Sequence, residues 1–171
     1  MTACKAHTVL PGTFHSHVLV LLCLMPVIAA FTGCSEPCQR EVFIKSNDRD
    51  GTTAYTFPLD MSDSLCRYDI SFYTRIDCAG ESFSAMPPAI TLEITYISPS
   101  GQKYAETVSI PKDSFIDESH FSKEYEVPYR TGLIPVENGI WEMSVTVMDE
   151  KEFPGLRGWG TITRKIPKTR G

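Results

Sequence analysis

The side chains of this sequence best placed to do chemistry are its cysteines, and one of them sits in a setting that names its reaction. Cys34 follows Phe31, Thr32 and Gly33 at the end of an apolar run that carries no charge over the 14 residues from 18 to 31. Small residues directly before a cysteine suit the tight site of a lipoprotein signal peptidase, and the thiol is then free to take a diacylglycerol. A spanning helix needs about 20 apolar residues. This run is shorter, and Pro26 interrupts it, so it matches the apolar core of a signal peptide better than a membrane span. The sequence therefore predicts a leader over residues 1–33, cleavage before Cys34, acylation of Cys34, and a short tether over residues 34–41. It places the protein in the cell envelope, most simply on the outer membrane, with the lipid bilayer as its first partner.

The remaining candidate groups declare less. Cys38, Cys66 and Cys78 are an odd number of thiols for an oxidising compartment. Cys66 and Cys78 bracket one strand-like segment, and twelve extended residues span roughly 40 Å, against the 7 Å or so between α-carbons that a disulfide allows. A bridge from Cys38 to either Cys66 or Cys78 is the pairing left open, with one thiol over. None of the three has zinc-site spacing, and no metal or other cofactor is expected. After the leader, His120 is the sole histidine. It sits in a loop-like stretch without a nucleophile elbow, so no Ser-His-Asp triad is indicated. The stretch from Ser46 to Gly51 fails the EF-hand pattern at its first position and, counting twelve, at Phe57; its Asp50-Gly51 pair reads as a turn. Gly155, Gly158 and Gly160 have the wrong order for a dinucleotide loop and precede a strand instead of a helix. No catalytic residue stands out, and no enzyme is expected. Among the aromatics, Trp141 fits a core by its alternation, while Tyr73 and Trp159 are the candidates to face a ligand.

The elements that must position these groups are strands. Residues 68–76 alternate, with Tyr68, Ile70, Phe72 and Ile76 on one face and Asp69, Ser71, Tyr73 and Arg75 on the other. Residues 90–96, 104–110, 141–148 and 161–166 read the same way, with shorter candidates at 42–45, 53–59 and 124–129. One turn of helix is expected within residues 113–121. About eight strands in the 138 residues that follow the leader predict an all-β fold: an antiparallel two-sheet sandwich, jelly-roll-like, over residues 42–171. The formal charge of −5 becomes −6 once Lys5 leaves with the leader, which disfavours nucleic-acid binding. A basic group at the end, Arg164, Lys165, Lys168 and Arg170, reads as a solvated tail, or as a contact to anionic lipid.

Several stretches together resemble the GldH-type gliding-motility lipoproteins of Bacteroidetes, as the relaxed residues before Cys34 resemble the lipoboxes of that phylum. They are the loop from Leu59 to Asp63, the strand ending Phe72-Tyr73-Thr74-Arg75, and the turn Ser98-Pro99-Ser100-Gly101. The ending that runs from Asn138 through Trp141, then from Phe153 to Gly160 and into the last strand, completes the likeness. The resemblance implies a non-enzymatic envelope lipoprotein with a structural or assembly role, linked to gliding or its secretion machinery and served by envelope protein partners. The alternative is a sandwich that binds a glycan or protein ligand at the cell surface. An exposed aromatic pair about 5 to 15 Å apart over a shallow groove distinguishes the second reading.

Overall fold

The computed structural model of the protein describes residues 38–49 and 51–168. The leader, Cys34, Asp50 and Arg170 lie outside them. Strands follow one another as β1 (Gln39–Lys45), β2 (Ala54–Met61), β3 (Cys66–Asp77), β4 (Ala89–Ile97), β5 (Lys103–Pro111), β6 (Asp117–Ser119), β7 (Ser122–Leu133), β8 (Gly139–Val147) and β9 (Gly158–Pro167), with one short helix, α1 (Gly80–Ala85). Five strands form one sheet in the order β1-β9-β3-β7-β6, and four form the other in the order β2-β8-β4-β5. β1 pairs with β9, β2 with β8, β3 with β7 and β4 with β5, all antiparallel. Successive pairs alternate between the sheets. That is a long antiparallel ribbon rolled on itself, the jelly roll, with β6 added at one edge.

Alternation decides which side of each strand is buried. Tyr55, Phe57, Leu59 and Met61 of β2, Tyr68, Ile70, Phe72 and Ile76 of β3, Ile90, Leu92 and Ile94 of β4, and Trp141, Met143, Val145 and Val147 of β8 fill the space between the sheets. Phe72 stands at the aromatic centre of this core, stacked on Tyr129 at 4.4 Å and tilted 5.9 Å from Trp159. Tyr129 also stacks on Tyr96 of the opposite sheet, and its hydroxyl donates to the Glu106 carboxylate, which Arg130 pairs. This chain of contacts fastens β7 to β4 and β5 across the sandwich. At the other end, Lys112 donates to the carbonyls of Phe83, Ser84 and Met86, holding the end of α1 and the segment leading to β4.

Four details depart from expectation. β1 begins at Gln39, inside the segment read as tether, because its pairing with β9 runs on to Arg164. The helical turn expected in residues 113–121 is absent. That stretch holds turns and β6, which pairs with β7 from Asp117 to Ser119. The helix is α1 instead, too short to leave a helical period. Finally, Cys38, Cys66 and Cys78 are all free thiols. Cys38 and Cys66 lie on opposite sides of β9: the Cys38 carbonyl accepts from Lys165, and Cys66 faces Pro167. Two strand spacings separate them, roughly 9.6 Å, beyond disulfide reach. Cys78 lies past the far end of β3. The expected bridge from Cys38 is therefore ruled out by the order of the strands.

Phe72→Ala removes the ring on which two others rest. It is expected to destabilise the protein by about 3–5 kcal/mol, measured as a lower urea midpoint at unchanged slope.

Candidate functional site

The outer face of the five-stranded sheet gathers the groups the core does not use. Directly opposed residues of antiparallel strands share a face. Phe43 of β1 opposes Gly160 of β9, which opposes Tyr73 of β3, which opposes Glu126 of β7. In the next row stand Glu41, Ile162 and Ser71, and beyond them Gln39, Arg164 and Asp69. These rows form a shallow groove of about 470 Å³, lined by Phe43 and Tyr73 at its floor and by Gln39, Glu41, Arg75, Glu124, Glu126 and Arg164 around it. Phe43 also lines an adjoining depression of about 380 Å³ with Lys45, Asn47 and Arg157, so the face extends past one ring.

The aromatic floor depends on a missing side chain. A Cβ at position 160 would lie 2.3 Å from Tyr73 Cε1 and 2.4 Å from its Cζ. Glycine lets the Tyr73 ring lie across β9 and reach Phe43, with ring centroids 5.3 Å apart and planes tilted by 30°. Such a pair is worth about 0.5–1.5 kcal/mol beyond the area it buries. The ring is also pinned at its hydroxyl. Burial first, and then the hydrogen bond to the Glu41 carboxylate, push the Tyr73 phenol well above its ordinary pKa. The phenol is a donor held in one direction at neutral pH.

The charges around the floor are matched. Arg75 Nε lies 2.6 Å from Asp77 and its terminal nitrogen 3.4 Å from Glu124. Arg164 donates to Gln39 at 2.9 Å and pairs with Glu126 at 3.5 Å. Arg157 pairs with Asp77 at 3.2 Å. Each guanidinium beside the groove is thus paired with a carboxylate, Arg75 and Arg157 sharing Asp77, while the carboxylates keep spare lone pairs for hydroxyl donors.

Of the two aromatics singled out in the sequence, Tyr73 is on this face and Trp159 is not. Trp159 is 1% exposed and sits in the core against Phe72. On β9 the outward positions are Gly158, Gly160 and Ile162, so alternation turns Trp159 inward with Thr161. Phe43 was missed. Its signal was an aromatic between Glu41 and Lys45 on the polar face of a strand only seven residues long. Gly158 earns its place by close approach: its φ is +149°, and a Cβ there would stand 2.2 Å from the Ile44 carbonyl oxygen. His120 is exposed in the turn before β7, against Phe121 at 4.5 Å. Among the described residues no three His, Cys, Asp or Glu side chains group as a metal site. Among those residues, too, no helix is long and apolar enough to cross a membrane.

No family model matches this chain. No curated protein matches it. Among solved structures it is similar to TmCBM61 in complex with beta-1,4-galactotriose, at 15% sequence identity and a TM-score of 0.27, over 78% of this chain and 90% of that one.

Because the Glu41 carboxylate favours the neutral phenol, Glu41→Gln is expected to lower the Tyr73 pKa toward the ordinary value of about 10. Alkaline difference spectroscopy of wild type and variant reads this directly. The Tyr73 contribution to stability is fully present below that ordinary pKa and is lost as the pH rises through the folded one.

Proposed function

We propose that this protein is a non-catalytic glycan-binding jelly roll, carried in the cell envelope by an acylated Cys34, and that its ligand is a neutral oligosaccharide lying along the outer face of the five-stranded sheet. The observation that carries the reading is the Phe43–Tyr73 floor, 5.3 Å between centroids, within a groove of about 470 Å³. The apolar face of a pyranose packs on such rings. Its hydroxyls need fixed acceptors and donors at the rim, which Glu41, Glu124, Glu126, Gln39 and the Tyr73 hydroxyl supply. Neutrality follows from the ion pairs: a uronic acid or sulfated sugar would have to pull Arg75 or Arg164 from its carboxylate partners. The adjoining depression behind Phe43 leaves room for further units of a chain.

The groove is open, and Glu41, Glu124 and Glu126 are all engaged, by Tyr73, Arg75 and Arg164 respectively. That arrangement supports binding without bond cleavage. The other reading, a structural or assembly lipoprotein of the kind the motility resemblance implies, makes a different prediction for the same material.

A glycan array probed with the protein is expected to return neutral oligosaccharides. Tyr73→Ala and Phe43→Ala should each weaken the best of them about tenfold, ~1.4 kcal/mol, in calorimetric titration. A blank array, together with a stable protein partner captured from the envelope, would favour the assembly role and contradict the glycan reading.

A further inference from the structure

One end of the sandwich carries an exposed apolar group that neither the core nor the groove uses. Register fixes which end it is. The Cys38 carbonyl accepts from the Lys165 amide, Lys165 opposes Tyr68, and Tyr68 opposes Leu133. The chain therefore enters β1 level with the end of β7. Met61 opposes Gly139, and Ile97 opposes Glu142, so the β2–β3, β4–β5 and β7–β8 connections all lie at that same end. On them, or just beyond, Leu65, Ile134, Val136 and Ile140 are between 61% and 78% exposed. Ile134 and Val136 overhang an apolar depression of about 170 Å³ with Tyr104 and Trp141. Branched aliphatic side chains held out on or beside the loops at one end make an apolar surface that no other described residue covers.

The position of Cys34 says what covers it. Three residues lie between Cys34 and Cys38, four chain steps with a reach of at most about 14 Å. An acyl anchor on Cys34 would hold this end, and not the opposite one, against the headgroups. The end also presents Arg67, Lys103 and Lys168 to solvent, alongside Asp63 and the Asp60–Lys165 pair. Glu137, at the same end, is taken up by Ser98 and Ser100. Apolar tips with exposed cations beside them suit the headgroup region of a bilayer containing anionic lipid.

We infer that the domain sits on the bilayer by this end, with Leu65, Ile134, Val136 and Ile140 in the headgroup region, a seat that rests on the acylation of Cys34 proposed above. The strands then stand up from the membrane, and the groove, on a sheet face, opens sideways along the surface, clear of the lipid. Lys168, whose amide donates to the Leu65 carbonyl, falls at the seat.

The test uses the mature protein purified from an envelope and reconstituted into vesicles of equal parts phosphatidylethanolamine and phosphatidylglycerol with brominated acyl chains. The mass of its N-terminal peptide reports the acyl group separately. Tryptophan placed by Val136→Trp should shift to the blue and be quenched about twofold, while Phe121→Trp, at the opposite end, should match wild type. Both positions are exposed loops, so neither variant threatens the core. Acylated protein with Val136→Trp unquenched, or with both positions quenched alike, would overturn the seat and leave the anchor standing. Absence of the acyl mass would remove the anchor and the seat together.

Discussion

β3 is hydrogen-bonded to β9 along one edge and to β7 along the other, and both of its faces are committed. Inward, Tyr68, Ile70, Phe72 and Ile76 supply the middle of the core. Outward, Tyr73 and Arg75 supply the middle of the groove. A slip of one residue in its register would send the Tyr73 ring into the core and the Phe72 ring into water. The register that buries the core therefore also builds the site, and the stability of the one enforces the geometry of the other. The bulge in the β3–β7 pairing near Ile70 falls beyond this stretch, so the rows that carry Tyr73 and Glu126 stay in step.

The site's parts come from places far apart in the chain: Phe43 from β1, Tyr73 from β3, Glu124 and Glu126 from β7, Gly160 and Arg164 from β9. The roll brings them together by pairing the first strand with the last. Such pairings close long loops, so the protein is expected to fold slowly for its size, and the groove should be among the last features to form. Gly160 is the hinge of the design. It gives up a side chain so that a ring from the neighbouring strand can occupy its place.

The alternation of β3, β4, β5 and β8 was legible in the sequence because each has one face in the core and one in solvent. The sandwich followed from counting such strands. Tyr73 was legible for the same reason. Trp159 was misread because its neighbours Gly158, Gly160 and Thr161 carry no hydrophobic contrast from which a face could be told. Phe43 escaped notice because β1 is short and its partner lies at the far end of the chain. The expected disulfide failed on a relation that no local pattern contains: β9 runs between Cys38 and Cys66. α1 and β6 are held by tertiary contacts, Lys112 on the carbonyls at the end of α1 and β7 along β6, and three or six residues are too few to show a period.

A neutral glycan seated as proposed would lie on the outer face of the five-stranded sheet. A backbone amide spectrum of isotopically labelled protein, titrated with neutral oligosaccharides drawn from the array, maps that position residue by residue. Binding on that face is expected to give shifts confined to β1, β9, the middle of β3 and the stretch of β7 around Glu124 and Glu126, with Phe43, Tyr73 and Gly160 among the largest and the β2–β3 and β7–β8 connections unmoved. Shifts centred on Leu65, Ile134 and Val136, or none anywhere on the outer face, would contradict it.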